Sequence, residues 1–256
     1  MKYISSSQNP IIKRLTLLMS KSRKRKKEKC FVVTGNRLLS RAVEMGYKVE
    51  TLFFREGFDE NHVDHNSADF FELSSKLFDR VSSRSGSEEV MAILEMMHQN
   101  TEDLFITNQD KILVLESPEK PGNIGAILRT AAAADWNAVI ITNPKTDIYH
   151  PQIIRNSMGG VFTIPVFTDS SENVISFLDK NGLNIIAASL DPYSKHYKRV
   201  KYTRPLALVF GTEDKGLDKK WIKIAHQIVK IPVKYPIDSL NLSVSAGILM
   251  YHCGEQ

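Results

Sequence analysis

From Lys111 onward the chain alternates short, continuously apolar runs with amphipathic stretches. KILVLE, NAVIIT, TIPVF, NIIAAS, LALVF and IVKIPV are interspersed with AILRTAAAAD, PQIIRNSMGG, SENVISFLDKNG and KKWIKIAHQ. Five or six apolar residues without period-two alternation predict strands buried on both faces, and such strands belong to a parallel sheet covered by helices. This pattern excludes sandwiches and all-helical bundles, and it places a ligand beyond the carboxyl ends of the strands. The topology it predicts unaided is a doubly wound, unknotted sheet. The final segment, LNLSVSAGILMYH, is apolar on nearly every turn. It predicts a buried helix, and a subunit interface is a natural place to bury it.

A chain of 256 residues exceeds the needs of one ordinary core, so a second unit is expected ahead of this sheet. CFVVTGNRLLSRAVEMG predicts strand, turn and helix, VETLFFRE a further strand, FFELSSKLFDRVS a strand running into a helix, SSRSGSEE a loop, and VMAILEMM an apolar end. NTEDLFITNQD is a polar connection. The predicted organisation is a basic arm over 1–29, a small α/β unit over 30–104 and the larger α/β domain over 105–256. At 42% apolar and 25% charged, the chain is of ordinary soluble composition. No apolar run reaches the ~20 residues of a membrane span, and the start, MKYISSSQNP, turns polar at once, so a cytoplasmic protein is expected. Cys30 and Cys253 lack metal-ligand spacing and are expected to be free thiols, with no metal site.

Charge is distributed unevenly. Residues 1–30 carry +9, whereas the whole chain carries +5, which leaves −4 for the remainder. Arg23, Lys24, Arg25, Lys26 and Lys27 form the densest run, either a solvated leader or a set of phosphate contacts. Residues 31–107 carry −7, so broad phosphate binding there is not expected. Arg155 and the segment LDPYSKHYKRVKYTRP, which interleaves Lys195, Lys198, Arg199 and Lys201 with tyrosines, are further basic candidates; a solvated loop is the alternative.

Three loops after predicted strands hold more Gly, Pro and short polar residues than packing requires. In ESPEKPGNIGAILRTA, Pro121-Gly122-Asn123 turns the chain and Arg129 lies one helical turn past Gly125; an ordinary strand-to-helix turn would also read this way. No G-x-G-x-x-G or Walker lysine is present, so dinucleotide and P-loop readings fail. In LVFGTEDKGL, Gly211 and Gly216 bracket Glu213, whose alternative role is to cap the following helix. In IPVKYPIDSLNLSVSAGI, Ser239, Asn241 and Ser243 head an apolar helix, where such residues commonly serve as N-caps.

In this order and spacing, PGNIGAILRTA, FGTEDKGL and IPVKYPIDSLNLSVSAGI resemble the three signature motifs of the SpoU (TrmH-type) RNA 2′-O-ribose methyltransferases of the SPOUT superfamily. IIRNSMGGVFTIPV resembles the family's internal Arg-x-Ser-x-Gly segment, and the likeness spans about residues 110–253. Residues 30–100 resemble the ribosomal-protein-like substrate domain that many members carry. The chain departs from the pattern at Tyr235, where the family has glycine, and at Val233, where it has methionine.

The resemblance implies an α/β fold with a trefoil-knotted parallel-sheet methyltransferase domain behind a small substrate-binding domain, and an active site formed across a homodimer. It implies S-adenosylmethionine as cofactor, held by Gly211, Ile231 and Leu240, with Arg129, Asn123, Glu213, Ser239 and Asn241 as the catalytic set. The expected role of Arg129 is to hold a phosphate and stabilise oxyanion charge, because a guanidinium does not act as a free base. The implied substrate is a ribose 2′-hydroxyl, in ribosomal RNA sooner than in tRNA, without membrane or metal. A non-catalytic RNA-binding or assembly protein on the same scaffold is the main alternative; a nucleotide-binding protein unrelated to RNA is a weaker one.

Overall fold

Pro10 occupies the first turn of the first long helix and the Asn9 side chain accepts from the Ile11 amide at 3.0 Å, so that helix starts with a fixed φ and a satisfied donor. The computed structural model describes residues 2–59, 69–82, 88–97 and 100–254. The chain forms two units, Met1–His98 with Ile148–Arg155, and Gln99–Asp147 with Asn156–Gln256.

The first unit contains β1 (Lys2–Ile4), α1 (Pro10–Ser20), α2 (Ser22–Glu28), β2 (Cys30–Thr34), α3 (Asn36–Glu44), β3 (Val49–Arg55), β4 (Asp69–Leu73), α4 (Ser75–Ser82) and β5 (Val90–Glu95). Its strands form one sheet in the order β1-β4-β3-β5-β2, parallel at β1-β4-β3 and antiparallel at β3-β5-β2. Most of the expected loop SSRSGSEE lies outside the described residues.

The basic stretch is not an arm apart from this unit, and this corrects the expectation. Ile4, Ile12, Leu15 and Leu18 sit in one apolar cluster with Phe53, Leu73, Phe78 and Ile93. The stretch is amphipathic, and its apolar face is needed to cover the sheet. Arg25 is 1% exposed and its Nη1 donates to the Leu18 carbonyl at 2.6 Å and to that of Met19 at 3.2 Å, groups that the end of α1 leaves unpaired. Arg14 pairs with Glu28 at 2.7 Å and with Glu50. Residues 148–155 complete the unit: Tyr149 stacks on Phe31 with ring centroids 4.3 Å apart, and its hydroxyl is 3.3 Å from that of Tyr47.

The second unit follows as β6 (Lys111–Glu116), α5 (Pro121–Ala133), β7 (Ala138–Thr142), α6 (Pro151–Asn156), α7 (Gly160–Thr163), β8 (Val166–Asp169), α8 (Ser171–Lys180), β9 (Asn184–Ala188), β10 (Lys195–His196), β11 (Leu206–Phe210), α9 (Lys219–Ile224), β12 (Gln227–Lys230) and α10 (Leu242–Gly254); most of α6 belongs to residues 148–155. Its sheet is parallel throughout, in the order β10-β12-β9-β11-β6-β7-β8. Every residue of β6, β7 and β11 is buried, as continuously apolar strands require. The core beneath joins Val114, Ile140, Val209, Leu178 and Trp221.

The last helix, α10, is buried along one face only. Ala246, Leu249, Met250 and Cys253 are covered, whereas Val244 and Tyr251 are about half exposed. Cys30 and Cys253 are free and buried, and burial pushes their thiols up to about 11 and about 12.

Candidate active site

The loops that leave β9, β11 and β12 at their carboxyl ends, with Lys120 from the loop after β6, surround a cleft of about 680 Å³. That volume lies within the usual range for a small-molecule site. Gly211, Ile231 and Leu240 all line it, together with Glu213, Ser239 and Asn241. Residues from the second and third motif loops thus meet around one space.

Gly211 follows directly on the end of β11. Thr212 and Gly216 exchange two backbone hydrogen bonds of 3.1 Å, which folds the loop back on itself. A Cβ on Gly211 would lie 2.1 Å from the Gly216 carbonyl oxygen, so no side chain fits there. The loop can close on the cleft only because position 211 is glycine.

The first motif loop joins the site through a chain of polar contacts. Asn123 Nδ2 donates to Glu213 Oε1 at 2.7 Å, and Asn241 Nδ2 donates to Asn123 Oδ1 at 3.2 Å. Asn241 Oδ1 accepts from the backbone amide of Ser243 at 2.9 Å, at the start of α10. The capping role and the site role of Asn241 therefore coexist in one side chain, its oxygen serving the helix and its amide reaching Asn123. Glu213 is not a helix cap. That position belongs to Asp218, whose side chain accepts from the Lys220 amide at 2.9 Å.

Arg129 stands apart from this chain. It is exposed, has no side-chain partner among the described residues, and does not line the cleft. Six residues separate it from Asn123 on α5, so the two side chains leave the helix about 120° apart and about 9 Å along its axis. Gly160, which the sequence reading did not single out, sets the backbone at that point. Its Cβ would fall 2.9 Å from the Leu128 carbonyl oxygen and 3.0 Å from the Arg129 Cα, so glycine is what lets α7 approach α5 so closely. Its place in RNSMGG was the available signal.

Among the proposed RNA contacts, Arg25 is overturned because its guanidinium is buried on the α1 carbonyls. Lys24 is ion-paired with Glu28. Arg23, Lys26, Lys27 and Arg155 are exposed. Tyr235 is 98% exposed and is not among the residues of positive φ, so the loop accommodates it where glycine was expected. Glu116, buried at the end of β6, accepts from Ser171 Oγ at 3.3 Å and from the Asp218 amide at 3.2 Å, tying α8 and the α9 cap to the sheet. Among the described residues no group of three or more His, Cys, Asp or Glu could hold a metal, and no helix is long and apolar enough to cross a membrane.

Comparison with known proteins places this geometry among relatives. The model of the SpoU rRNA Methylase family matches residues 110–251, and that of the MRM3-like substrate binding domain matches residues 9–92. The 23S rRNA (guanosine(2553)-2'-O)-methyltransferase RlmP of Bacillus subtilis is 25% identical over 98% of this chain and 99% of its own length. The 23S rRNA (uridine(2479)-2'-O)-methyltransferase of Streptomyces viridochromogenes is 26% identical over 98% of this chain and 91% of its own. The crystal structure of an AdoMet-bound rRNA methyltransferase from Sinorhizobium meliloti superposes with a TM-score of 0.92 at 26% identity, covering 99% of this chain and 97% of that one.

Proposed function

The chain belongs to the SpoU rRNA methylase family, and on that premise we propose how it methylates a ribose 2′-hydroxyl of ribosomal RNA with S-adenosylmethionine. The observation that carries the reading is the chain Glu213–Asn123–Asn241, which draws all three motif loops together at a cleft floored by Gly211. The cofactor supplies an electrophilic methyl group on a sulfonium.

The residues present fit such a group. Gly211 leaves the loop backbone free to lie against it, while half-buried Ile231 and Leu240 offer apolar wall. Asn123 orients the Glu213 carboxylate, and Ser239 places a hydroxyl in the cleft. Arg129, always protonated, would hold the phosphate beside the target ribose and stabilise the negative charge that develops on the hydroxyl oxygen, whose proton passes to solvent water. Holding the hydroxyl in line supplies several kcal/mol of the barrier by proximity.

The reading includes a homodimer, which the family resemblance implies; Arg129 and Asn123 leave α5 in different directions, and a second copy would bring an Arg129 to the cleft. The half-exposed Val244 and Tyr251 on the apolar α10 support an interface there. It also includes the family's trefoil knot in the carboxyl-terminal segment and work in the cytoplasm. Ribosomal RNA is favoured over tRNA by the separate first unit and by the names of the relatives; those relatives act on guanosine in one case and uridine in another.

Incubating the chain with labelled S-adenosylmethionine and with ribosomal RNA or tRNA from cells lacking the gene, then mapping 2′-O-methyl sites, tests this. One new methylated ribose in ribosomal RNA is expected. Cofactor binding without transfer to either RNA would favour the assembly-protein reading instead.

A further inference from the structure

We propose that a second cleft, at the amino ends of β9, β11 and β12, binds the phosphodiester backbone of the RNA substrate. The proposal rests on the reading of that substrate as RNA. The cleft measures about 590 Å³, and its lining among the described residues includes Lys195, Arg199, Lys201 and Arg204 and no carboxylate.

The local sequence explains why cations gather there. In the connection from β10 to β11, Val200 and Tyr202 are buried and alternate with exposed Arg199, Lys201 and Thr203, so an extended stretch sends its charged side chains to one face. The Tyr202 hydroxyl donates to the Tyr197 carbonyl at 2.9 Å and anchors the stretch. Several cations elsewhere do meet carboxylates: Arg14 with Glu28 and Glu50, Arg55 with Asp79, Lys220 with Glu172. None of the four lining the cleft has an ion pair among the described residues.

Among the described residues Lys195 reaches the Gln227 amide oxygen alone, at 3.0 Å, and Arg204 Nη2 the Gly254 carbonyl alone, at 3.2 Å. Arg204 Nε is buried with no acceptor among the described residues. Like charges gathered with no carboxylate partner among the described residues repel, so the cleft matches a ligand rich in anionic oxygens. Four cations spread along ten residues exceed what a single phosphate can engage, which points to a backbone. Beside them, Lys198 lies over the Tyr197 ring at 5.8 Å, a cation and an aromatic face in one segment.

This cleft lies at the end of the sheet opposite the cofactor cleft. Five-residue strands at about 3.3 Å per residue separate them by about 17 Å. It therefore acts on RNA affinity and takes no part in the chemistry.

The test uses the full chain and a fluorescein-labelled 20-nucleotide oligouridylate, with affinity measured against salt. Arg199→Glu with Lys201→Glu should weaken binding about tenfold or more and flatten the slope of log affinity against log salt by about 1.4, at ~0.7 per lost phosphate contact. In the methyl-transfer assay, KM for ribosomal RNA should rise far more than kcat falls. Lys219→Glu with Lys223→Glu, the same charge change on exposed residues of α9, should flatten the slope much less. If charge reversal disturbs folding, Arg199→Gln with Lys201→Gln gives the same measurement with half the charge change.

An unchanged slope, equal flattening by both pairs, or binding of uridine monophosphate as tight as that of the oligomer would each overturn the proposal. If methylation of ribosomal RNA persists in such a case, the cleft assignment falls alone. A wild-type chain that binds no RNA overturns both readings.

Discussion

The side-chain amide of Asn123 donates to the carboxylate of Glu213 at 2.7 Å across 90 residues of sequence. The first motif is thereby bound to the second, and Asn241, donating to the same asparagine, binds the third. An amide suits this place because it donates on one side and accepts on the other.

Asn123→Asp makes the sharpest probe of that contact. Two carboxylates in such proximity cannot both ionise without raising the pKa of the pair. Methyl transfer near neutral pH should fall about tenfold or more, then recover in part as the pH drops and the pair takes up a proton. The ratio of variant to wild-type rate across a pH series is the measurement, and a ratio independent of pH would contradict the contact's role.

Gly211→Ala drives a Cβ into the Gly216 backbone, which has no flexible side chain to move aside. The loop must open, with a loss on the order of 1–3 kcal/mol in the second unit. Calorimetry should find S-adenosylmethionine affinity lowered at least tenfold. Wild-type affinity in this variant would place the cofactor elsewhere.

Arg129→Lys preserves charge and removes the planar fork. Turnover should fall by a factor of ten or more while cofactor affinity stays within about twofold, since Arg129 lies outside the cleft lining. Gly160→Ala, which presses on the Arg129 backbone from α7, should reproduce part of that loss. Undiminished turnover in Arg129→Lys would remove the phosphate-holding role.

The basic helix α2 divides into two classes of residue. Arg25→Ala leaves the Leu18 carbonyl without its partner and should destabilise the first unit by about 1–3 kcal/mol in denaturant titration. Replacing Arg23, Lys26 and Lys27 with alanine should leave stability within ~0.5 kcal/mol. That triple variant should flatten the salt dependence of RNA binding. Equal stability loss in both variants would refute the division.

Glu50 accepts from Arg14, and that bond holds its carboxyl below the ordinary glutamate value of about 4.3. A depressed folded-state pKa gives stability that is present above the unfolded value and lost as pH falls through the folded one. The first unit should therefore weaken below about pH 4, and Glu50→Gln should show less of that loss. The difference at pH 7 should be on the order of 1 kcal/mol or less, because the Glu50 side chain is 36% exposed and solvent screens the pair. Identical acid transitions in both chains would count against it.

The sequence alone determined the parallel sheet, because each strand's burial on both faces is written locally as an apolar run, and four of the six runs coincide with β6, β7, β9 and β11, while IVKIPV and TIPVF overlap β12 and β8 in part. The order of the three loops was legible for the same reason, each being a local cluster of small and polar residues after a strand. Tertiary structure decided what local chemistry leaves open. Whether a cation in a basic run faces solvent or a helix end depends on orphan carbonyls elsewhere in the chain, which is why Arg25 is buried while Lys26 beside it is exposed. Residues 148–155 join the first unit because Tyr149 finds its stacking partner in Phe31, more than a hundred positions away. Glu213 reads in sequence as a cap and serves in the fold as the acceptor for Asn123, since a short side chain bonds whatever donor the backbone path brings near, and that path is set by packing over the whole sheet.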